Sequence, residues 1–115
     1  MMMYYHGGPR GIVGFIRPAI ETGATSCSDY RAAGIHRRDR VYLTTNPNTA
    51  LMYACGHKSG AVYVVEPIGS VENDPDWLGD PGVSVQCERA KIVAARPVKG
   101  SIMRKVRRQV MGVMT

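Results

Sequence analysis

Cysteine is scarce: Cys27, Cys55 and Cys87 are the three in 115 residues, an odd number with no CxxC pair. Such spacing speaks against both a zinc knuckle and a disulfide framework, so reduced thiols and no metal site are expected. Long apolar runs are missing too. Nothing approaches the roughly 20 residues that cross a bilayer, and the opening MMMYYHGG lacks the basic-then-apolar layout of a secretory signal. A soluble, cytoplasmic protein with no membrane partner is the expectation. There is no internal repeat and no low-complexity tract. Acids are absent after Glu88, whereas Lys99, Arg104, Lys105, Arg107 and Arg108 fall in residues 99–115. The net charge of +6 is therefore a property of the chain's end, and residues 1–98 give little sign of a nucleic-acid groove.

What is present suits one compact domain. Hydrophobic residues make up 44% and charged residues 21%, with 13 Gly and 7 Pro, a turn-rich globular composition. Met2–His6 reads as a strand that runs into a tight loop at Gly7-Gly8-Pro9, with His6 at its end. Phe15-Ile16 is a short strand, and Ser26–Tyr30 offers capping side chains for a short helix. Arg40–Thr45, β-branched and aromatic, is a strand. Asn46 as N-cap with Pro47 in the first turn then starts a helix that ends near Gly56. Ala61–Val65 is apolar throughout, as a central strand is, with Pro67 as its stop. Glu66, Glu72, Asp74, Asp76 and Asp80, five of the nine acids, fall in the loop-like stretch that follows. Strands recur near Val83–Val85 and Ile92–Ala95. From Ser101, Met103, Val106 and Val110 form an apolar stripe beside four cations. Several short strands with connections too short for parallel crossovers make an α+β pattern.

Three residues at strand ends or edges draw attention: His6, Tyr42 and Asp74. A histidine, an aromatic ring and a carboxylate are the parts needed to hold a ring-bearing cofactor and to stabilise a developing cation. Individually each has an ordinary structural explanation, as a surface histidine, a core tyrosine and a solvated acid. His36 with Arg37, Arg38 and Arg40 has the charge to meet a pyrophosphate. Asp74, Asp76 and Asp80 lack the spacing of an EF-hand loop.

Order and context add what the residues alone do not. Tyr5-His6-Gly7, then Val41-Tyr42-Leu43-Thr44 before a helix, then Val62-Tyr63-Val64-Val65-Glu66-Pro67-Ile68-Gly69-Ser70-Val71-Glu72-Asn73-Asp74-Pro75 resembles the rifamycin ADP-ribosyltransferases, a family within the ADP-ribosyltransferase superfamily. The likeness runs from about Tyr5 to Pro97 and is weakest between Gly11 and Arg38. It implies a mixed α/β fold of two small, roughly perpendicular sheets around an NAD cleft, with one or two helices. Residues 1–98 would form the catalytic domain and 99–115 a basic tail or short amphipathic helix.

By the same resemblance, the catalytic triad falls on His6, Tyr42 and Asp74, and the co-substrate is NAD. His6 would bond a ribose hydroxyl, the Gly7 backbone would face the nicotinamide carboxamide, and Tyr42 would stack on the nicotinamide, with Thr44 among the cofactor-binding residues. Tyr53, on the following helix, would close the other side of that ring. Glu88, in Gln86-Cys87-Glu88, has the Q-x-E form of some protein-modifying members and is the rival carboxylate. The acceptor implied is a hydroxyl of a small molecule such as a rifamycin antibiotic. Rifamycin-modifying members carry a longer C-terminal helical region, so a protein or nucleic acid recruited through the basic tail is the alternative acceptor. A non-catalytic binding module with the same fold is the third reading.

Overall fold

The structure, a computed structural model, describes residues 2–22, 39–75, 77, 79 and 82–114, without the side chains at 19, 22 and 110–114. Among them seven strands form one sheet: β1 (Tyr4–Pro9), β2 (Phe15–Ile16), β3 (Val41–Thr44), β4 (Gly60–Ile68), β5 (Glu72–Asn73), β6 (Ser84–Cys87) and β7 (Arg89–Pro97). Their order is β2-β7-β4-β1-β3-β6-β5. The helices are α1 (Ala19–Thr22), α2 (Pro47–Ala54) and α3 (Gly100–Met114). All pairings are antiparallel, giving the α+β class that the short connections imply. The expectations for Ser26–Tyr30, for His36 with Arg37 and Arg38, and for Asp76 and Asp80 lie outside the described residues.

The narrowest joint in the sheet lies between β1 and β3. These strands pair at Tyr5↔Thr44, whereas β1 pairs with β4 along its whole length. One buried cluster spans that joint, uniting Ala61, Tyr63 and Val65 of β4 with Val41 and Leu43 of β3 and Val85 and Cys87 of β6. A second cluster, on the other face of β4, packs α2 and α3 onto the sheet through Ala54, Cys55, Val98 and Met103, with Leu51, Val62 and Val106 at its edge.

Two strands run further than local signals allow. Instead of turning at Gly7-Gly8-Pro9, β1 continues through them, and His6 lies inside the strand. Gly7 serves close approach here. A Cβ on it would sit 1.9 Å from the carbonyl oxygen of Ala50, and one on Gly60 would sit 2.2 Å from that of Ala54. Both glycines thus let the backbone of α2 rest directly on the sheet. Similarly β4 continues past Pro67, which pairs with Ala90 of β7. Pairing of β4 with β1 stops at Val65, so among the described residues one edge of β4 is unpaired at the proline and its missing N–H is tolerated there.

Local chemistry starts α2 as expected. The Asn46 side-chain oxygen accepts from the N–H groups of Asn48 (2.9 Å) and Thr49 (3.4 Å), and Pro47 occupies the first turn. At its other end the guanidinium of Arg107 in α3 donates to the carbonyls of Cys55 (3.0 Å) and His57 (2.6 Å). A cation at a helix C-terminus satisfies orphan carbonyls and meets the negative end of the helix dipole. The thiols of Cys55 and Cys87 are free and buried, and burial pushes both up from the usual range.

Candidate active site

Strand alternation sorts the side chains around the β1–β3 joint. Gly7 faces α2, so Tyr5, two residues earlier, shares that side. Tyr5 pairs with Thr44, which puts Thr44 and Tyr42 on the α2 side as well. Across the next ladder Thr44 lies opposite Ser84 and Tyr42 opposite Gln86, and Gln86 in turn lies opposite Glu72. The α2 side of β3, β6 and β5 is therefore polar: Tyr42, Thr44, Ser84, Gln86 and Glu72. The reverse side holds Val41, Leu43, Val85 and Cys87, which belong to the core.

The centre of this polar face is dry, although Glu72 at its edge is exposed. Thr44 is 2% exposed, and Ser84 and Gln86 are 4% exposed. Burying polar groups is unfavourable unless each finds a partner. Thr44 and Ser84 do. The Thr44 hydroxyl oxygen accepts from the Asn46 N–H at 3.1 Å, which ties the start of α2 to β3. The Ser84 hydroxyl donates to the Asp74 carboxylate at 3.0 Å, and the Asp74 N–H donates to the Ser84 carbonyl at 3.0 Å. Asp74 is thereby held at both backbone and side chain beside the Thr44–Ser84 pair. By contrast the Gln86 side-chain oxygen and the Arg40 Nε are buried with no hydrogen-bond partner among the described residues. Arg40 reaches Glu72 only at 3.9 Å.

His6 approaches from the opposite face of β1 and meets β3 through its backbone. Its Nδ1 lies 2.9 Å from the Tyr42 carbonyl oxygen. A carbonyl only accepts, so Nδ1 carries the proton and Nε2 presents its lone pair. Burial lowers the His6 pKa; the Tyr42 carbonyl partly opposes this and His57 adds to it, so the ring is held neutral. The ring lies 6.4 Å from that of Tyr63, tilted at 41°. Gly8 keeps the flank of Nε2 open, since an added Cβ would sit 3.2 Å from it.

The joint therefore brings His6 to Tyr42, and it puts Tyr42 and Thr44 on the side where α2, with half-buried Tyr53, is seated. Asp74 joins the same face through Ser84. Glu88 stands apart: it is exposed and lies against Gly69, where an added Cβ would be 3.2 Å from its carboxylate. Among the described residues no three His, Cys, Asp or Glu side chains gather in a metal-holding group, and no helix is long and apolar enough to cross a membrane. Ser84 and Gln86 were missed as parts of this face by the reading of the sequence. Their signal was the alternation of Ser84 and Gln86 with Val85 and Cys87.

An α+β domain with a continuous antiparallel sheet, a narrow central joint and a helix seated beside that joint is consistent with an ADP-ribosyltransferase-like fold. The sequence comparison gives the family. The model of the rifampin ADP-ribosyl transferases matches residues 4–96, and the chain belongs to that family. No curated protein matches it.

Proposed function

We propose that the protein is an NAD-dependent mono-ADP-ribosyltransferase that moves ADP-ribose from NAD to a hydroxyl of a small molecule such as a rifamycin, with release of nicotinamide. The observation that carries this reading is the coupling of His6 to Tyr42 at the β1–β3 joint, within the span that the family model covers. Its fit to NAD rests on chemistry at that joint. A neutral His6 with a free lone pair on Nε2 accepts from a ribose hydroxyl, and a half-buried Tyr42 provides an aromatic face for a flat ring. The cleft would lie where β1 and β3 part, the two halves of the sheet acting as its walls.

NAD supplies an ADP-ribose group on a good leaving group, nicotinamide. Tyr42 and Tyr53 hold the ring flat from its two sides, and the Gly7 backbone faces its carboxamide. Thr44 serves the cofactor through α2, whose first turn it fixes. The ribose–nicotinamide bond breaks with its electron pair leaving on the nicotinamide nitrogen, a bond forms from the ribose carbon to the acceptor oxygen, and the hydroxyl proton goes to solvent. Positive charge builds on the sugar in such a step, as in glycoside hydrolysis, and a carboxylate held in place stabilises it. Asp74, fixed by Ser84, takes that role, with no metal required. Incubation with NAD and rifampicin, followed by mass spectrometry, tests the reading. The expected result is a drug species heavier by one ADP-ribose together with free nicotinamide. Nicotinamide release with no drug adduct, but with label on macromolecules of a lysate, would move the acceptor to a protein or nucleic acid.

A further inference from the structure

Helix α3 lies beyond the span matched by the family model, which ends at residue 96. Its packing divides its surface sharply. Met103 is 4% exposed and Val106 packs beside it against α2 and β4. At about 100° of turn per residue, Arg104, Lys105 and Arg108 project within one arc of about 100° on the opposite side, and all three are exposed. The fourth cation of the helix, Arg107, is spent on the carbonyls of Cys55 and His57. Lys99 precedes the helix, and Arg96 of β7 pairs with Val62, on the sheet face that α3 covers. None of Arg96, Lys99, Arg104, Lys105 and Arg108 makes an ion pair among the described residues.

This charge does not serve the helix. No acid occupies the first turn of α3, the end where anions are favourable and cations are not. The Arg104 guanidinium lies near Gly100 at that end, 3.3 Å from where a Cβ would be. Arg104 and Arg108, one turn apart, repel each other. A cationic ridge that weakens its own helix and has no counter-charge among the described residues is complementary to an external polyanion. A lipid surface fits poorly, because an interfacial helix needs a free apolar face, whereas Met103 and Val106 of α3 are packed against the body and Ile102 is the one exposed apolar side chain among the described residues of the helix.

We propose that the outer ridge of α3, formed by Arg104, Lys105 and Arg108, is a docking surface for the phosphate backbone of a nucleic acid. From Arg104 to Arg108 the ridge extends about 6 Å along the helix at 1.5 Å per residue, and a duplex carries one charge per roughly 1.7 Å, so the ridge meets about three phosphates at once. Contact is with backbone and not with bases, so it is independent of sequence and steeply dependent on salt.

The test is fluorescence anisotropy of the full chain with a labelled 20-base-pair duplex of arbitrary sequence at 50–200 mM salt. Binding is expected to weaken with salt with a log–log slope of about −3 or steeper, since three or more cations each release counterions. The triple variant R104Q/K105Q/R108Q should flatten the slope by roughly 3 and lower affinity at 50 mM salt by at least tenfold, with the thermal midpoint and NAD turnover unchanged. Removal of the same charge elsewhere, in R17Q/R89Q/K91Q, should leave most of the binding. Absence of salt-dependent binding by the native chain would overturn the proposal. So would equal loss in both triple variants, or tighter binding by vesicles of anionic phospholipid than by the duplex.

Discussion

The two halves of the sheet, either side of the β1–β3 joint, finish the same face in different ways. On the β4 side, α2 and α3 close it with Ala54, Cys55, Val98 and Met103, and glycines let helix backbone touch strand backbone. On the β3–β6–β5 side the corresponding face carries Tyr42, Thr44, Ser84 and Gln86, three of them almost fully buried, with a glutamine oxygen left unpartnered among the described residues. The first half gains apolar burial, at about 25 cal/mol for each Å² removed from water. The second buries polar groups, of which Thr44 and Ser84 are hydrogen-bonded, while the Gln86 oxygen, with no partner among the described residues, opposes folding. The difference divides the work of this one face: the β4 side closes it with apolar packing and the other side keeps a preorganised polar surface, while the core on the reverse face spans both halves.

Substitutions chosen on each side sharpen or break that division. Gly7→Ala should have the largest effect, because its methyl would collide with the Ala50 carbonyl and backbone on both sides has nowhere to go. Denaturant titration should show a loss of about 4 kcal/mol or more, or no folded protein. Near-native stability would mean that α2 is not seated on β1 as described. Arg107→Ala should cost about 1–3 kcal/mol by removing two charge-assisted bonds at the end of α2. Arg108→Ala, pointing outward on the same helix, should fall within about 0.5 kcal/mol of the native chain.

Gln86→Met works in the other direction. A buried acceptor without a partner costs about 1–3 kcal/mol, and an apolar side chain of similar shape removes that penalty. The variant should therefore melt higher than the native protein by calorimetry. A lower melting temperature would show that Gln86 is satisfied in solution and that the polar face is structural.

The smallest effect expected is on pH dependence. Burial lowers the pKa of both His6 and His57 in the folded chain, below the ordinary value of 6.5. Above 6.5 both are neutral folded or unfolded and contribute nothing. As pH falls below 6.5 the unfolded chain takes up protons that the folded one refuses, so stability declines until the folded values are reached. Melting curves between pH 7.5 and 5 should show that decline, and His57→Gln should make it shallower.

Much of this architecture is legible in local chemistry. Asn46-Pro47 marks the start of α2 and the apolar run at Ala61–Val65 marks β4, because capping and burial are written within a few residues; Ile92–Ala95 also lies in a strand, β7, although Ile92 alone of the four is partly buried. Gly7-Gly8-Pro9 and Pro67 misled as punctuation. What keeps them in strands is a partner far along the chain, the backbone of α2 for Gly7 and, for Pro67, the edge of β4 left unpaired among the described residues. The polar face was hidden for a related reason. Which side Ser84 and Gln86 occupy follows from strand register, and register is set by pairing with β3, not by the residues themselves. Likewise Arg107 looked like one more cation of a basic tail, since the carbonyls it caps lie about fifty residues earlier.

The claim that the decisive carboxylate lies on the polar half of the sheet is tested most directly by turnover in Asp74→Asn against Glu88→Gln, read as nicotinamide released at saturating NAD. Asp74 is held by Ser84 on that face, and Glu88 is exposed beside Gly69. Loss of one preorganised electrostatic group commonly lowers turnover by about 10²–10³. The account predicts a fall of that size for Asp74→Asn, with little change in the Michaelis constant for NAD, and near-native turnover for Glu88→Gln. The reverse ranking would contradict it and move the decisive carboxylate to the strand end at Glu88.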